Sequence, residues 1–393
     1  MSVANIDKAK VLPRYASVAD LVAKRDPITP VYALYPDRFR AAAKRFLDGF
    51  AGHTLYAVKA NPAPRILDQV HAAGIRHFDT ASVAEIALVR GRFPDAHCHF
   101  MAPVRFPGAA REARENFGVR DYVIDADSEL DKLLAETGGG KGLRIFVRLA
   151  TPLGSALIEL SSKFGTTPDD GARLLKRVAA SGAEAAITFH VGSQCLSPFS
   201  YAQAIEIARR TADLSGVPIA ALDVGGGFPG PYLGNDVPPY HWYFDTIREA
   251  FSTFPDADRC ELLCEPGRAL VAEGVGLVTR IVSRRDDRLY LNDGIHGSLD
   301  ELTLPGWTAD YPRRVLTRDA DANVRERTGV TMPFKVFGPT CDTLDVLPRP
   351  LILPSDIAEG DFIVFETIGA YSAALRTGFN GFYPDEWAIV DHP

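Results

Sequence analysis

Four short stretches carry side chains that could do chemistry. Leu55-Tyr-Ala-Val-Lys-Ala-Asn-Pro62 is a nearly continuous apolar run with one lysine inside it. A buried strand gains nothing from an unpaired ammonium, because desolvating a charge is costly. Lys59 is therefore either a lysine that snorkels or pairs at a strand end, or an amine placed to react with a carbonyl. Asp223-Val-Gly-Gly-Gly-Phe-Pro-Gly230 sets three glycines in a row. Such a backbone turns tightly, or brings its N–H groups up to an anion as a nest. It is not GxGxxG, so a dinucleotide fingerprint does not apply. Ser193 and Arg268 could add a hydroxyl and a cation to the same anion, and arginine suits phosphate. Glu265-Pro-Gly-Arg268 offers a carboxylate that could accept from a protonated ring nitrogen, or pair internally with Arg268. His190 ends an apolar stretch; alone it reads as a core histidine, but beside the lysine and the nest it is a candidate to stack on a flat cofactor. A reactive amine, an anion cradle and an acceptor for a ring N–H are together what pyridoxal 5'-phosphate requires.

These residues need elements to hold them. Counting from Leu55, eight short apolar runs alternate with helical segments: Leu55, His77–Ser82, His97–Met101, Asp121–Asp125, Arg144–Leu149, Ala186–His190, Ala221–Val224 and Glu261–Glu265. Strict alternation implies parallel strands joined by crossovers, and eight units imply a closed (β/α)8 barrel. The helix Asp37–Phe50 has Phe39, Ala43, Phe46 and Leu47 on one face. Ser82 and Glu85 stand at capping-box spacing. In such a barrel chemistry collects where strands end. Those ends supply Lys59, Asp79, Arg148, His190, the triple glycine, and Glu265 with Arg268. Beyond residue 270 helical periodicity is scarce, and Val275–Val282, Arg288–Asn292, Pro333–Phe337 and Asp361–Phe365 read as strands of a mostly antiparallel β domain. Ala309–Thr331 is polar and reads as an irregular excursion. The expected domains are the barrel, 35–270, and a β domain from 1–34 with 271–393.

Bulk properties exclude several classes. The 393 residues carry a net charge of -7, which argues against nucleic acid or an anionic membrane as partner. No apolar run spans a bilayer, and Met1–Asp20 lacks a signal-peptide core. Five cysteines, Cys98, Cys195, Cys260, Cys264 and Cys341, form no CxxC pair. That pattern suits a reducing compartment, so a cytoplasmic protein is expected. No metal site is expected, since Cys260 and Cys264 lack a clustered histidine.

The chain resembles the fold-type III pyridoxal-phosphate decarboxylases, in particular the ornithine/lysine decarboxylase branch. The resemblance rests on Tyr56-Ala-Val-Lys-Ala-Asn61, Phe78-Asp-Thr-Ala-Ser82, Ser162-Lys-Phe-Gly165, Phe189-His-Val-Gly-Ser193, Asp223-Val-Gly-Gly-Gly-Phe228, Cys264-Glu-Pro-Gly-Arg268, Asn292-Asp-Gly294, Gly338-Pro-Thr-Cys-Asp-Thr-Leu-Asp345, Gly369-Ala-Tyr371 and Phe379-Asn-Gly-Phe382. It implies an alanine-racemase-like barrel, a β domain to which the N-terminal segment adds a strand, and a homodimer with active sites shared across the interface. It implies that Lys59 anchors the cofactor covalently, His190 stacks on the ring, Glu265 pairs with the ring nitrogen, and Asp79 and Arg148 lie close by. Ser193, Gly226, Gly227, Arg268 and Tyr371 would hold the phosphate. Cys341 would reprotonate the α-carbon and Asp342 bind the distal ammonium, both from the second subunit. Phe379 would wall the substrate site, and Lys163 and Asp345 form a cross-dimer ion pair.

The segment after Asn292-Asp-Gly294 departs from the ornithine enzymes. His296 replaces an aromatic, and Leu304-Pro305 stand where a Tyr-Asp pair supplies a second amine-binding acid. Asp300, Glu301 or Asp310 could substitute, and Pro305-Gly-Trp307 could fill the distal pocket. The implied activity is decarboxylation of a small basic L-amino acid, ornithine before lysine, giving putrescine or cadaverine and CO2. Alternatives are a carboxynorspermidine-like or diaminopimelate decarboxylase, an alanine racemase, and a non-catalytic decarboxylase-like regulator. The acidic Asp342 argues against diaminopimelate, the Cys341-Asp342 pair against a racemase, and the retained Lys59, His190, Glu265 and Cys341 against the regulator.

Overall fold

A computed structural model describes residues 11–152, 156–158 and 162–393. The first ten residues of the Met1–Asp20 stretch lie outside them. The chain forms two compact units. One comprises Phe39–Ala272 with Leu304–Asp310; the other comprises the segment up to Arg38, Glu273–Thr303 and Tyr311–Pro393.

The first unit is the expected barrel. Its strands are β1 (His53–Ala57), β2 (His77–Thr80), β3 (His97–Phe100), β4 (Asp121–Ile124), β5 (Arg144–Leu149), β6 (Glu184–Phe189), β7 (Ala221–Asp223) and β8 (Glu261–Cys264). Each pairs parallel with the next, and β8 closes the ring on β1, with Leu263 opposite His53. Leu55, Met101, Val123, Phe146, Ala186, Ala221 and Leu263 meet in one buried cluster inside the ring. Burial of each large member contributes roughly 1.5–3 kcal/mol, and the alanines of β6 and β7 leave room for Phe146. The first helix of the unit buries Phe39, Ala42, Ala43 and Phe46, while Leu47 stays exposed. Ser82 accepts from the Glu85 N–H, and Glu85 reaches back to the N–H of Ala81.

Lys59 is not inside a strand, as the sequence suggested. β1 stops at Ala57, and Val58–Ala60 make a 3-10 turn. Asn61 follows with extended backbone, its carbonyl bonded by the Tyr56 hydroxyl.

At the opposite end of the strands four histidines gather. His53, His77 and His97 open β1, β2 and β3. The His77 ring lies 4.7 Å from His53 and 4.9 Å from His97, and its Nδ1 is 3.0 Å from His99 Nε2. His99 also faces Asp121 at 3.3 Å, and Arg144 binds the same carboxylate. Among the described residues no such group is arranged to hold a metal. Burial, followed by the neighbouring rings, lowers His77 to about 3, and burial also lowers His99. An unfolded histidine takes its proton near pH 6.5. These depressed values therefore favour the fold above that pH, and the contribution is lost as pH falls toward the folded values. Thermal melts should show a Tm lower by roughly 2–4 °C at pH 5 than at pH 7.5. The difference should shrink in His77→Gln; an unchanged difference would remove this cluster as its cause.

The second unit is a ten-stranded sheet. Six strand pairings in it are antiparallel and three parallel. Val275–Arg285 is its long central strand, flanked by Val31–Leu34 and Phe362–Phe365. The C-terminal strand Glu386–His392 lies between Arg14–Ser17 and Val31–Leu34, parallel to both. The helix Val18–Arg25 buries Val18, Leu21 and Val22 against this sheet. The region 309–331 is not irregular: Arg313–Arg318 pairs with Val324–Glu326 and with Phe362–Phe365. Its alternation was masked by arginines, whose stems cover apolar surface while their heads reach water.

Candidate active site

The 3-10 turn after β1 presents Lys59 with 42% of its side chain accessible. Its Nζ donates to Asp79 Oδ2 at 2.8 Å, and Asp79, in β2, is buried. Pairing at a strand end and availability for chemistry thus hold together: the carboxylate fixes the amine, and the amine remains reachable.

The glycine loop follows β7. Gly225 (φ 67°) and Gly227 (φ 100°) adopt left-handed backbone, and a Cβ would lie 2.1 Å from the Phe189 carbonyl and 2.4 Å from the Gly192 carbonyl. A Cβ on Gly226 would sit 3.0 Å from His190 Nε2. The loop's carbonyls are tied back by Glu265 N–H, the Tyr201 hydroxyl and Cys195 N–H. The N–H groups of Gly226 and Gly227 donate to none of the described residues. That is the geometry of a backbone nest. Arg268 stands over Ser193, donating Nη2 to its Oγ at 3.2 Å. It is 4% exposed and also donates to the Tyr232 hydroxyl at 2.8 Å.

Leu304–Asp310 belongs to this unit. Its Asp310 exchanges backbone hydrogen bonds with Leu233, and its buried Trp307 ring lies 4.7 Å from the Arg268 guanidinium and 5.4 Å edge-on from Tyr232. Trp307 therefore packs over the Arg268 guanidinium.

Glu265 ends β8 beside Asp223 of β7, and both are buried. Burial, the Asp223 carboxyl and then Asp79 push Glu265 well above the usual carboxylate range; burial also raises Asp223. Two such groups cannot both ionise cheaply. Glu265 Oε1 and Asp223 Oδ2 have no hydrogen-bond partner among the described residues. A cationic N–H donor would relieve both the repulsion and the unmet acceptors. His190 Nδ1 accepts from the Gly192 N–H at 3.0 Å, which leaves the neutral ring's proton on Nε2. Burial, then Arg148 and Lys59, lowers His190 well below the ordinary value. It is a neutral flat ring, suited to stacking. Arg148 holds its guanidinium 5.5 Å from the Phe164 ring.

The structure thus brings Lys59, Asp79, Arg148, His190, Ser193, Gly226, Gly227, Glu265 and Arg268 together on the barrel. Cys341, Asp342, Asp345, Tyr371 and Phe379 belong to the β domain. Cys341 is exposed, and its N–H and Sγ both meet Asn380 Oδ1, at 3.1 and 3.2 Å. Asp342 Oδ1 accepts from the Leu344 N–H, and its Oδ2 lies 2.9 Å from His296 Nε2. The Phe379 ring lies 5.0 Å from His296. Tyr371 adopts left-handed backbone at φ 54°. Asp345 is 2% exposed and accepts from Ile295 N–H, Thr340 N–H and the Thr340 hydroxyl. Pairing with Lys163 of another copy would have to share those oxygens.

One proposed substitute for the missing acid is otherwise engaged: Glu301 is fully buried and accepts from the Tyr311 hydroxyl. Three partners escaped the sequence: Trp307 over Arg268, Asp223 beside Glu265, and His296 against Asp342. Only the last had a signal, a histidine where an aromatic was expected.

Residues 36–272 match the family described as the pyridoxal binding domain of pyridoxal-dependent decarboxylases. The chain is 32% identical to the lysine/ornithine decarboxylase of Selenomonas ruminantium, over 84% of this chain and 81% of that protein. It is 32% identical to the ornithine decarboxylase of Schizosaccharomyces pombe, over 86% and 77%. Among solved structures, the lysine/ornithine decarboxylase of Vibrio vulnificus complexed with putrescine superposes with a TM-score of 0.79 at 28% identity, over 95% of this chain and 96% of that one.

Proposed function

The chain belongs to the pyridoxal-dependent decarboxylases, and on that premise we propose that it removes the α-carboxylate of a basic L-amino acid, ornithine ahead of lysine, releasing CO2 and putrescine or cadaverine. The observation that carries this is the buried Glu265 oxygen without a donor, set beside an accessible lysine and a glycine nest. Those features fit pyridoxal phosphate group by group. When bound, the cofactor supplies an electron sink for the pair left behind as CO2 departs.

The chain's own residues do the rest. Lys59 would hold the cofactor aldehyde, and Asp79 would keep the amine in place. Glu265 would accept from the ring N–H and keep that nitrogen protonated. His190 would stack on the ring, with Arg148 beside it. Gly226, Gly227, Ser193, Arg268 and Tyr371 would bind the phosphate. Cys341 would deliver a proton to the α-carbon; its Sγ lies 3.2 Å from Asn380 Oδ1. Asp342 would take the substrate's distal ammonium and Phe379 would wall the site. We further infer a cytoplasmic homodimer in which each site draws Cys341 and Asp342 from the partner.

Product analysis with ornithine, lysine and arginine tests the activity; no CO2 from any of them would reject it. Mixing inactive Lys59→Ala and Cys341→Ala proteins should restore part of the activity if sites are shared, and none if each chain is self-sufficient. The Trp307 clamp makes a separate prediction. Cation–π contact is worth about 0.5–2 kcal/mol, so Trp307→Ala should weaken pyridoxal phosphate binding roughly 2–30-fold, measured by fluorescence titration. Unaltered binding would show that the indole does not position Arg268.

A further inference from the structure

The reading of Asp342 as receiver of the distal ammonium leaves a difficulty that the β domain itself addresses. One carboxylate would have to do the work of two. Its Oδ1 is committed to the Leu344 N–H, and its Oδ2 faces His296 Nε2 at 2.9 Å. A ligand ammonium at this carboxylate therefore meets the imidazole as its neighbour.

We propose that His296 sets the specificity of this end of the site: the positive charge of a protonated imidazole and the substrate's distal ammonium compete for the Asp342 carboxylate, so a diamine end group is accepted only beside the neutral imidazole. The proposal rests on the assignment of Asp342 given above.

The geometry favours competition over coexistence. The two side chains are 30% and 28% accessible, so a ligand reaches both. The ring packs on Phe379, and the His296 carbonyl accepts from the N–H and hydroxyl of Thr377, which ties the backbone of His296 to the Thr377–Phe379 segment. Protonated, the imidazole forms an ion pair that cancels the carboxylate's charge. Neutral, it donates Nε2–H and leaves a lone pair with the full negative charge for an ammonium.

Few other charges intervene within the domain. Asp300, in the turn Asp300–Thr303, is near enough for His296 to lower its pKa, against burial that raises it. Glu301 is committed to Tyr311, Arg376 to Asp385, and Asp345 to the backbone of Ile295 and Thr340. The neighbouring Cys341 thiol is directed at Asn380.

Linked binding gives a direct test. Putrescine is titrated into holoenzyme by calorimetry between pH 5.5 and 8.5, in two buffers of different ionisation enthalpy. The native protein should release up to one proton per diamine on the acid side, with Kd weakening about tenfold per pH unit there. His296→Gln should release none and bind putrescine at pH 6 about as tightly as at pH 8. His296→Phe, which restores an aromatic against Phe379, should do the same and guards against a folding defect in the glutamine variant. Proton release that persists in both variants overturns the proposal while leaving the basic-substrate reading intact. Failure of the native protein to bind putrescine or cadaverine at any pH overturns both.

Discussion

Lys59→Ala should lose the imine absorbance of the holoenzyme and at least roughly 10³-fold in kcat, the scale of removing a reacting nucleophile. The change also strips a cation from Asp79, which is 2% exposed. Some fall in Tm is expected on that account, since a buried carboxylate without its partner is costly. Lys59→Arg separates the two effects. Arginine keeps a cation for Asp79, but a guanidinium does not give up its proton and so cannot attack a carbonyl. This variant should melt close to the native protein and still show neither imine nor turnover. A Lys59→Arg protein that kept its absorbance band would remove Lys59 from the centre of the site.

Glu265→Gln should lower kcat by about 10²–10³-fold, the usual effect of deleting one preorganised electrostatic partner. Cofactor retention should change much less, because the phosphate cradle is untouched. Stability should move the other way. Glu265 is pushed up by burial and by Asp223. A carboxyl whose folded pKa is raised supports the fold at low pH and loses that support as pH rises through the folded value. The cofactor-free native protein should therefore lose stability from about pH 4.5 upward. The glutamine variant, with one carboxyl fewer in the pair, should melt higher than the native protein at pH 8. A variant that lost stability and activity together would mark Glu265 as structural.

What was legible in the sequence follows a physical rule. The eight barrel strands were readable because each is a short apolar run bounded by turn signals, and Lys59, Asp79, Arg148, His190 and Glu265 stood out as polar groups at their ends. The nest was readable because only glycine tolerates the backbone of Gly225 and Gly227. Contacts across long sequence distances were not. Asp223 read only as part of the strand Ala221–Val224, with nothing to say that Glu265, just after the next strand, lies against it. Trp307 sits in a segment with no periodicity and gives no hint that it returns to Arg268. His296 and Asp342 are each ordinary in isolation, and only folding joins them. The paired arginines of Arg313–Arg318 concealed a strand for a similar reason, since composition does not say which side of a side chain is covered.

The C-terminal strand Glu386–His392 is inserted between two strands from the beginning of the chain. During synthesis Arg14–Ser17 and Val31–Leu34 emerge long before Glu386–His392, their common neighbour. In the barrel only the closing pair, β8 on β1, waits in this way, as its other strands pair with near neighbours as they appear. Closing contacts of such long sequence separation is slow, so the nascent β domain exposes unpaired strand edges for most of translation, the state most open to aggregation. Loss of Glu386–His392 would remove the neighbour that Arg14–Ser17 and Val31–Leu34 share and open the sheet at that edge.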